Sequence, residues 1–222
     1  MGRTAWLLVA LSLFFGLGYP LLWDQLPAAA SIPVKGAGVG FLALAAAWNA
    51  RGSDGWLLAA VLGLGAAGDM LLEIDFAAGA AAFAAGHVVA IVLYQRNPRP
   101  VRVPRDLGVA VMLPALAVLI PLAMLDGKPE AWPFILYALL LGTMAGSALL
   151  SRFPRRTVFA GALLFLVSDM LIAVRLGTAR EDLGLPIWLL YYLGQLLIFL
   201  GVISSLPAKP AGRGTTRRVV EG

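Results

Sequence analysis

The amino-acid sequence predicts an all-α, multi-pass bundle of about eight transmembrane helices with both chain termini in the cytoplasm. Of its 222 residues, 60% are hydrophobic and only 13% are charged, with a mean hydropathy of +0.87. A soluble domain of this composition would lack the polar side chains needed to cover its surface. The apolar residues also fall into separate runs, and the basic residues concentrate in alternate loops. We therefore expect an integral protein of a bacterial inner (cytoplasmic) membrane.

Eight apolar runs reach or approach the roughly 20 residues that a helix needs to cross a bilayer. They occupy residues 4–22, 33–48, 56–73, 77–95, 107–125, 131–150, 157–176 and 186–205. The second run is short and glycine-rich, and GAGVG within it, like GTMAG in the sixth run, is typical of close helix packing. The loops are short, so we expect one transmembrane domain over residues 1–206, followed by a basic, disordered cytoplasmic tail at 207–222.

The distribution of basic residues predicts the orientation. Thirteen arginine and lysine residues lie on one side of the eight predicted spans, whereas the other side holds only Lys35, Lys128, Arg175 and Arg180. The positive-inside rule places the richer side in the cytoplasm. Removing one span from the prediction would abolish this asymmetry. The placement of the basic residues in loops also explains the net charge of +5 without a nucleic-acid partner.

The first run follows Arg3 and is similar to a signal peptide, with PAAAS at 27–31 as a cleavage site. Its apolar stretch is longer than a usual signal core, and its removal would leave seven spans. We interpret it as a retained transmembrane helix.

Two aspartates interrupt predicted spans. Asp69 lies in GAAGDMLL and Asp169 in FLVSDMLIAV, both about two-thirds along spans that run outward from the cytoplasm. A carboxylate in hydrocarbon costs about 2.5–3.5 kcal/mol on insertion scales, so it requires a partner or a function. At matched depth, the two carboxyls are expected to face one another and share a proton, which supplies an acid and a base together.

Other polar residues are expected in the same half of the bundle, forming a chamber with carboxyls at its floor and cations near its mouth. An amphiphile with an anionic head group would fit this arrangement. These residues are His87, Gln195, Tyr191, Tyr192, Ser168, Lys35, Arg175 and Glu73, the last one turn from Asp69.

Structural alternatives remain open for each of these residues. Either aspartate could pair with His87 or Arg175 merely to hold helices together, and Lys35 could simply extend its ammonium towards water. Tyr191 and Tyr192 are also typical of the aromatic belt at a membrane interface. Ser168 could bond to its own helix backbone.

Three stretches together resemble the YhhN family of lysoplasmalogenases. They are GDMLLEIDFAAGAAAFAAGH (68–87), GALLFLVSDMLIA (161–173) and YYLGQLLI (191–198). The matching residues are Gly68, Asp69, Phe76, Gly79, Phe83, His87, Gly161, Phe165, Ser168, Asp169, Ile172, Ala173, Tyr191, Tyr192, Gln195 and Ile198. The chain departs from the family pattern at Ala90, where a tyrosine is expected and Tyr94 follows one turn later.

The resemblance implies hydrolysis of the vinyl-ether bond of a lysoplasmalogen to a fatty aldehyde and a glycerophosphoethanolamine or glycerophosphocholine. Asp69 and Asp169 would be the catalytic pair, with His87, Gln195, Tyr191, Tyr192 and Ser168 in support. Lys35, Arg175 and Glu73 would lie at the head group. Acid-catalysed cleavage requires no metal or other cofactor, which agrees with a chain that has one histidine and no cysteine.

Two other functions use paired intramembrane aspartates. An intramembrane aspartyl protease requires a GxGD motif, but Gly65 stands three residues before Gly68, and no YD partner occurs. A proton-coupled transporter would use Asp69 and Asp169 as a proton relay, and the similar GDM and SDM segments would then mark two repeated halves.

Overall fold

The computed structural model describes residues 1–129 and 131–206, and eight long helices make up most of this part of the chain. They are α1 (Arg3–Gly18), α2 (Ala28–Asn49), α3 (Gly52–Leu71), α4 (Phe76–Arg96), α5 (Pro104–Met124), α6 (Ala131–Leu150), α7 (Ala160–Thr178) and α8 (Gly184–Ile203). A π-helical turn, Arg155–Phe159, leads into α7, and the described residues contain no strand. The predicted all-α class is confirmed, whereas the predicted tail at 207–222 lies outside the described residues.

All eight helices are long and apolar enough to cross a bilayer. Large apolar side chains such as Phe14, Val111 and Leu136 are exposed on the outer surface of the bundle. In a membrane, this surface contacts acyl chains, and the helices satisfy their own backbone hydrogen bonds. The chain is thus an integral multi-pass membrane protein.

Helix α2 is longer than the sequence predicts, because it begins at Ala28 rather than at Pro33. The PAAAS segment therefore forms the start of a helix. Alanine is the best helix former. Pro33 is the sixth residue of α2, where it removes one backbone hydrogen bond and its ring crowds the carbonyl of Ala29.

Six helices, α2, α3, α4, α6, α7 and α8, surround the centre of the bundle, and α1 and α5 pack outside them. Helix α1 is held by side chains as well as by packing. The Ser12 hydroxyl donates to the carbonyl of Gly38 at 2.6 Å, and the Trp188 indole donates to the carbonyl of Gly16 at 2.7 Å. These bonds connect α1 to α2 and α8.

Glycines of the GTMAG segment bring α6 against α5. A Cβ atom at Gly142 would lie 2.4 Å from Cα of Pro114, and one at Gly146 would lie 2.6 Å from the carbonyl oxygen of Ala110. Any larger residue would push the helices apart, so the interpretation of this segment as a packing motif is confirmed.

The loops at one end of the bundle are tied together by a polar cluster that we call the loop clasp. The Asn97 amide donates to Asp54 at 2.9 Å and accepts from Nε of Arg152 at 2.7 Å. Pro98 and Ser151 also form an isolated antiparallel bridge. The loop clasp joins the loops that the positive-inside rule assigns to the cytoplasm, an orientation that stays a prediction. Its members are Asp54, Arg96, Asn97, Arg99, Ser151 and Arg152.

Candidate active site

A chamber of about 680 Å³ lies between the six central helices, at the end of the bundle opposite the loop clasp. Ligand sites in proteins commonly have volumes of about 300–1,000 Å³, so the chamber has room for a small molecule or a lipid head group. Seven of the ten predicted site residues line it: Lys35, Asp69, Glu73, Ser168, Asp169, Arg175 and Tyr191.

Both intramembrane carboxyls face this chamber, and both are almost fully buried. Asp69 is 2% exposed and Asp169 is 6% exposed. Asp69 lies in the last turn of α3, whereas Asp169 lies more than two turns before the end of α7. Both side chains nevertheless line the same chamber, because α7 borders the chamber from Ser168 to Arg175.

Each carboxyl accepts a hydrogen bond from a tyrosine on a neighbouring helix. The Tyr191 hydroxyl donates to Oδ2 of Asp69 at 2.8 Å, and the Tyr137 hydroxyl donates to Oδ2 of Asp169 at 2.5 Å. Helices α6 and α8 thus each supply one hydroxyl to a carboxyl, and the proton shared between Asp69 and Asp169 stays a prediction.

His87 stands behind Tyr137 rather than in the chamber wall. Its Nε2 lies 3.0 Å from the Tyr137 hydroxyl, and its ring packs edge-on against Phe165 at 5.0 Å between centroids. Because Tyr137 donates to Asp169, the imidazole is positioned to donate to the tyrosine oxygen. A chain of hydrogen bonds therefore runs from His87 through Tyr137 to Asp169.

Tyr137 is not among the site residues predicted from the sequence. Its signal is a single hydroxyl between Leu136 and Ala138 in an apolar run, and such a tyrosine is hard to distinguish from an interface aromatic. Its role depends on α6 packing next to α4, which brings the hydroxyl to His87.

Tyr191 and Gln195 lie one turn apart on the face of α8 that meets α3. The Tyr191 ring packs edge-on against Phe83 and Phe165, at 5.6 and 5.1 Å between centroids. Gln195 is 1% exposed, and a Cβ atom at Gly65 would lie only 2.8 Å from its Nε2. Its Oε1 has no hydrogen-bond partner within the described part of the chain. Gln195 thus lies behind the chamber floor, next to Tyr191.

Two predicted supporting residues have contacts that differ from the expectation. Ser168 borders the chamber, but its hydroxyl donates to the carbonyl of Ile187 at 2.8 Å, so it ties α7 to α8 and not to its own helix. Tyr192 does not reach the chamber. Its hydroxyl lies 2.9 Å from Oγ of Ser12 and its ring lies over Gly16. Successive residues of a helix point about 100° apart, so Tyr191 faces inward and Tyr192 faces α1.

Both predicted cations line the chamber, and each is paired with a glutamate. Lys35 Nζ lies 2.5 Å from Oε1 of Glu73, and the Arg175 guanidinium forms an ion pair with Glu181. Glu181 was not predicted, because it follows the predicted seventh span in the next loop. The mouth of the chamber thus holds two cationic groups in weak ion pairs, and a competing anion can displace the glutamate from either one.

Tyr94, the tyrosine that follows the histidine by two turns, is buried far from the carboxyls. Its ring packs against Phe153, near the loop clasp, at 6.1 Å between centroids. Tyr94 therefore does not take the place of the tyrosine that the family pattern has at Ala90.

The fold and the site define a multi-pass membrane protein with a carboxylate-bearing chamber between its helices, a feature that usually marks a functional site. The model of the YhhN family matches residues 30–202. The chain belongs to the YhhN family.

Two curated relatives carry the name lysoplasmalogenase, one from Mycobacterium bovis (strain ATCC BAA-935 / AF2122/97) and one from Mycobacterium tuberculosis (strain CDC 1551 / Oshkosh). Each is 32% identical to this chain over 156 residues, which is 66% of this chain and 59% of the relative. No solved structure gives a significant match.

Proposed function

We propose that the protein is a lysoplasmalogenase-type hydrolase that cleaves the vinyl-ether bond of 1-alkenyl lysoglycerophospholipids. The products are a fatty aldehyde and a glycerophosphoethanolamine or glycerophosphocholine. Membership of the YhhN family and the names of the mycobacterial relatives support this class of reaction. The observation that carries the proposal is that Asp69 and Asp169 border one chamber, each hydrogen-bonded to a tyrosine hydroxyl.

Cleavage of a vinyl ether begins with protonation at carbon. A carboxylic acid transfers its proton to the alkenyl carbon farther from the ether oxygen, and the other alkenyl carbon becomes part of an oxocarbenium ion. Water adds to that carbon and returns a proton to the carboxylate. The resulting hemiacetal then breaks its bond to the glycerol oxygen and releases the aldehyde. Protons balance over the cycle, and a strong, positioned acid beside a negative charge accelerates the first step.

In this scheme, one of Asp69 and Asp169 donates the proton while the other, ionised, stabilises the cation and orients the water. Tyr191 and Tyr137 hold the two carboxyls through their hydroxyls. His87 orients Tyr137 from behind, and Gln195 supports Tyr191. Donors and charges held in place in this way stabilise charge that develops during the reaction.

The mouth of the chamber is proposed to bind the phosphate of the head group. Lys35 and Arg175 are the cations that line the chamber, and a phosphate would compete with Glu73 and Glu181 for them. Arginine in particular forms paired hydrogen bonds with phosphate oxygens. The charge asymmetry of the loops favours cytoplasmic termini, which would place the chamber towards the outer leaflet of the proposed bacterial inner membrane.

Mass spectrometry of the lipids tests the proposal. Purified protein incubated with a 1-alkenyl lysophosphatidylethanolamine in heavy water should release an aldehyde with one deuterium on the carbon next to the carbonyl, because that carbon is protonated from solvent-exchanged acid. The matched 1-alkyl lipid, which has a saturated ether, should remain intact. Unchanged alkenyl lipid would contradict the proposal. Movement of intact solute across sealed vesicles, without chemical change, would instead favour the proton-coupled transporter.

A further inference from the structure

An apolar groove of about 520 Å³ runs between α4 and α6, beside the chamber. Phe76 and alanines form its α4 side, and leucines, prolines and aromatic rings of α6 and the preceding loop form the other side. Ala81 and Leu136 are exposed, so the groove opens on the surface of the bundle that faces lipid. Within the described residues, Tyr137 is the only member of its wall with a polar side chain.

The groove and the chamber share part of their walls. Five residues border both spaces: Phe76, Ala80, Pro133, Phe134 and Tyr137. The rings of Phe76 and Phe134 are stacked at 6.4 Å between centroids across the gap between α4 and α6. The hydroxyl of Tyr137 donates to Asp169. The wall that the apolar groove and the polar chamber share therefore lies beside a buried carboxyl.

We propose that this groove binds the aliphatic chain of the lysolipid and that the substrate enters sideways from the bilayer between α4 and α6. The inference rests on the function proposed above and adds where its substrate lies. A lysoplasmalogen consists of an apolar chain, a vinyl ether and an anionic head group, in that order. The groove, the Tyr137–Asp169 junction and the chamber with its cations follow in the same order.

The dimensions of the groove agree with this occupant. Its α4 wall extends from Phe76 to Ala84, about 12 Å along the helix axis. A chain lying along this wall places its first carbons at Tyr137, so the bond to be protonated lies next to Asp169. Substrate held in this way reaches the carboxyl without its chain leaving the hydrocarbon, so no apolar surface has to cross water.

Adjacent alanines on α4 offer a matched pair of variants. Ala84 lines the groove, whereas Ala85 is exposed on the same helix and lies outside the groove wall. Ala84→Phe would fill the groove, and Ala85→Phe would place the same ring in lipid. Ala81→Phe, at an exposed position of the groove, is a second blocking variant that does not need buried space.

The first experiment uses a non-hydrolysable 1-alkyl lysophosphatidylethanolamine that carries a photoreactive diazirine in its chain. The protein is reconstituted in nanodiscs of diacyl phosphatidylcholine, and labelled peptides are mapped by mass spectrometry. We expect labels at the facing walls of α4 and α6, reduced at least tenfold in Ala84→Phe and Ala81→Phe but unchanged in Ala85→Phe. Labels spread over all lipid-facing helices would overturn the inference.

The second experiment measures aldehyde release from a long-chain lysoplasmalogen by the same variants. The groove variants should lose at least tenfold in kcat/KM, with Ala85→Phe similar to the original protein. If the original protein hydrolyses the lipid and both groove variants match Ala85→Phe, the groove assignment fails while the proposed function stands. If the groove is labelled but no vinyl ether is cleaved, the proposed function fails and the chain-binding groove stands.

Discussion

The loop clasp and the chamber lie at opposite ends of the same bundle and contain similar polar groups. At the loop clasp, Asn97 bonds at once to Asp54 and Arg152, so that its polar atoms join one loop to the next. In the chamber, Asp69 and Asp169 each bond to one tyrosine and otherwise face a space of about 680 Å³. The hydrogen bonds of the loop clasp hold the loops together, whereas the carboxyls of the chamber remain available to a ligand.

This difference distinguishes polar groups that stabilise the fold of a membrane protein from polar groups that serve its function. A buried polar group that is fully bonded to its neighbours stabilises the fold, whereas one that borders a cavity gains little and has a cost in hydrocarbon. Variants at the two ends should therefore fail in different ways. Chamber variants should lose turnover while remaining folded, and clasp variants should lose stability while the remaining folded molecules turn over normally.

The largest effect is expected for Asp69→Asn and Asp169→Asn. Each removes a group that can donate a proton or carry the stabilising charge, and general acid–base catalysis contributes about 10²–10⁴-fold. Aldehyde release should fall at least about 100-fold, with an unchanged thermal midpoint in detergent. Asp24→Asn, which changes an exposed carboxylate at the chamber wall, is the control and should retain turnover. Full activity in either of the first two variants would rule out the paired-carboxyl mechanism.

Removing one tyrosine hydroxyl should have a smaller effect. Tyr137→Phe and Tyr191→Phe each delete a hydrogen bond to a carboxyl, and such bonds contribute about 1.5–3 kcal/mol, or about 10- to 150-fold in rate if all of it acts in the transition state. The measurement is kcat/KM for aldehyde release. Tyr192→Phe is the adjacent control, because its hydroxyl faces Ser12 on α1. Equal losses in Tyr191→Phe and Tyr192→Phe would show that the chamber hydroxyl has no special role.

Lys35→Gln and Arg175→Gln should weaken substrate binding by about two- to fivefold, because a partly exposed ion pair contributes up to about 1 kcal/mol. We expect a higher KM with little change in kcat, and less inhibition by added salt. Lys128→Gln tests the same charge change elsewhere, since Lys128 donates to the carbonyl of Leu176 outside the chamber wall. A fall in kcat at constant KM would contradict the role in head-group binding.

The smallest loss of turnover is expected at the loop clasp. Asn97→Ala leaves Asp54 and Arg152 without their amide partner and should destabilise the fold by about 1–3 kcal/mol, which lowers the thermal midpoint by about 2–4 °C for each kcal/mol. Asn49→Ala is the control, because Asn49 donates only to Ala45 of its own helix. If the folded Asn97→Ala protein lost turnover as well, the two ends of the bundle would be coupled.

The sequence predicted the helices better than the faces they present. Eight apolar runs are enough to predict eight helices, because crossing hydrocarbon requires both length and internally satisfied backbone bonds. The predicted start of α2 is wrong by five residues, because Pro33 lies inside the helix and not at its beginning. A helix that is apolar all round carries no periodic signal of its inward side. For that reason, Tyr192 was grouped with Tyr191, and Tyr137 was not identified.

The sequence by itself determined that this chain crosses a membrane and that Asp69 and Asp169 need an explanation, because the cost of a polar group in hydrocarbon depends mainly on residue type and depth. Only the tertiary structure decided what each of them contacts. Packing of α6 beside α4 and α7, and of α8 beside α3, put a tyrosine hydroxyl on each carboxyl and left a groove open to lipid. Such contacts join residues as many as 122 positions apart, and no local pattern encodes them.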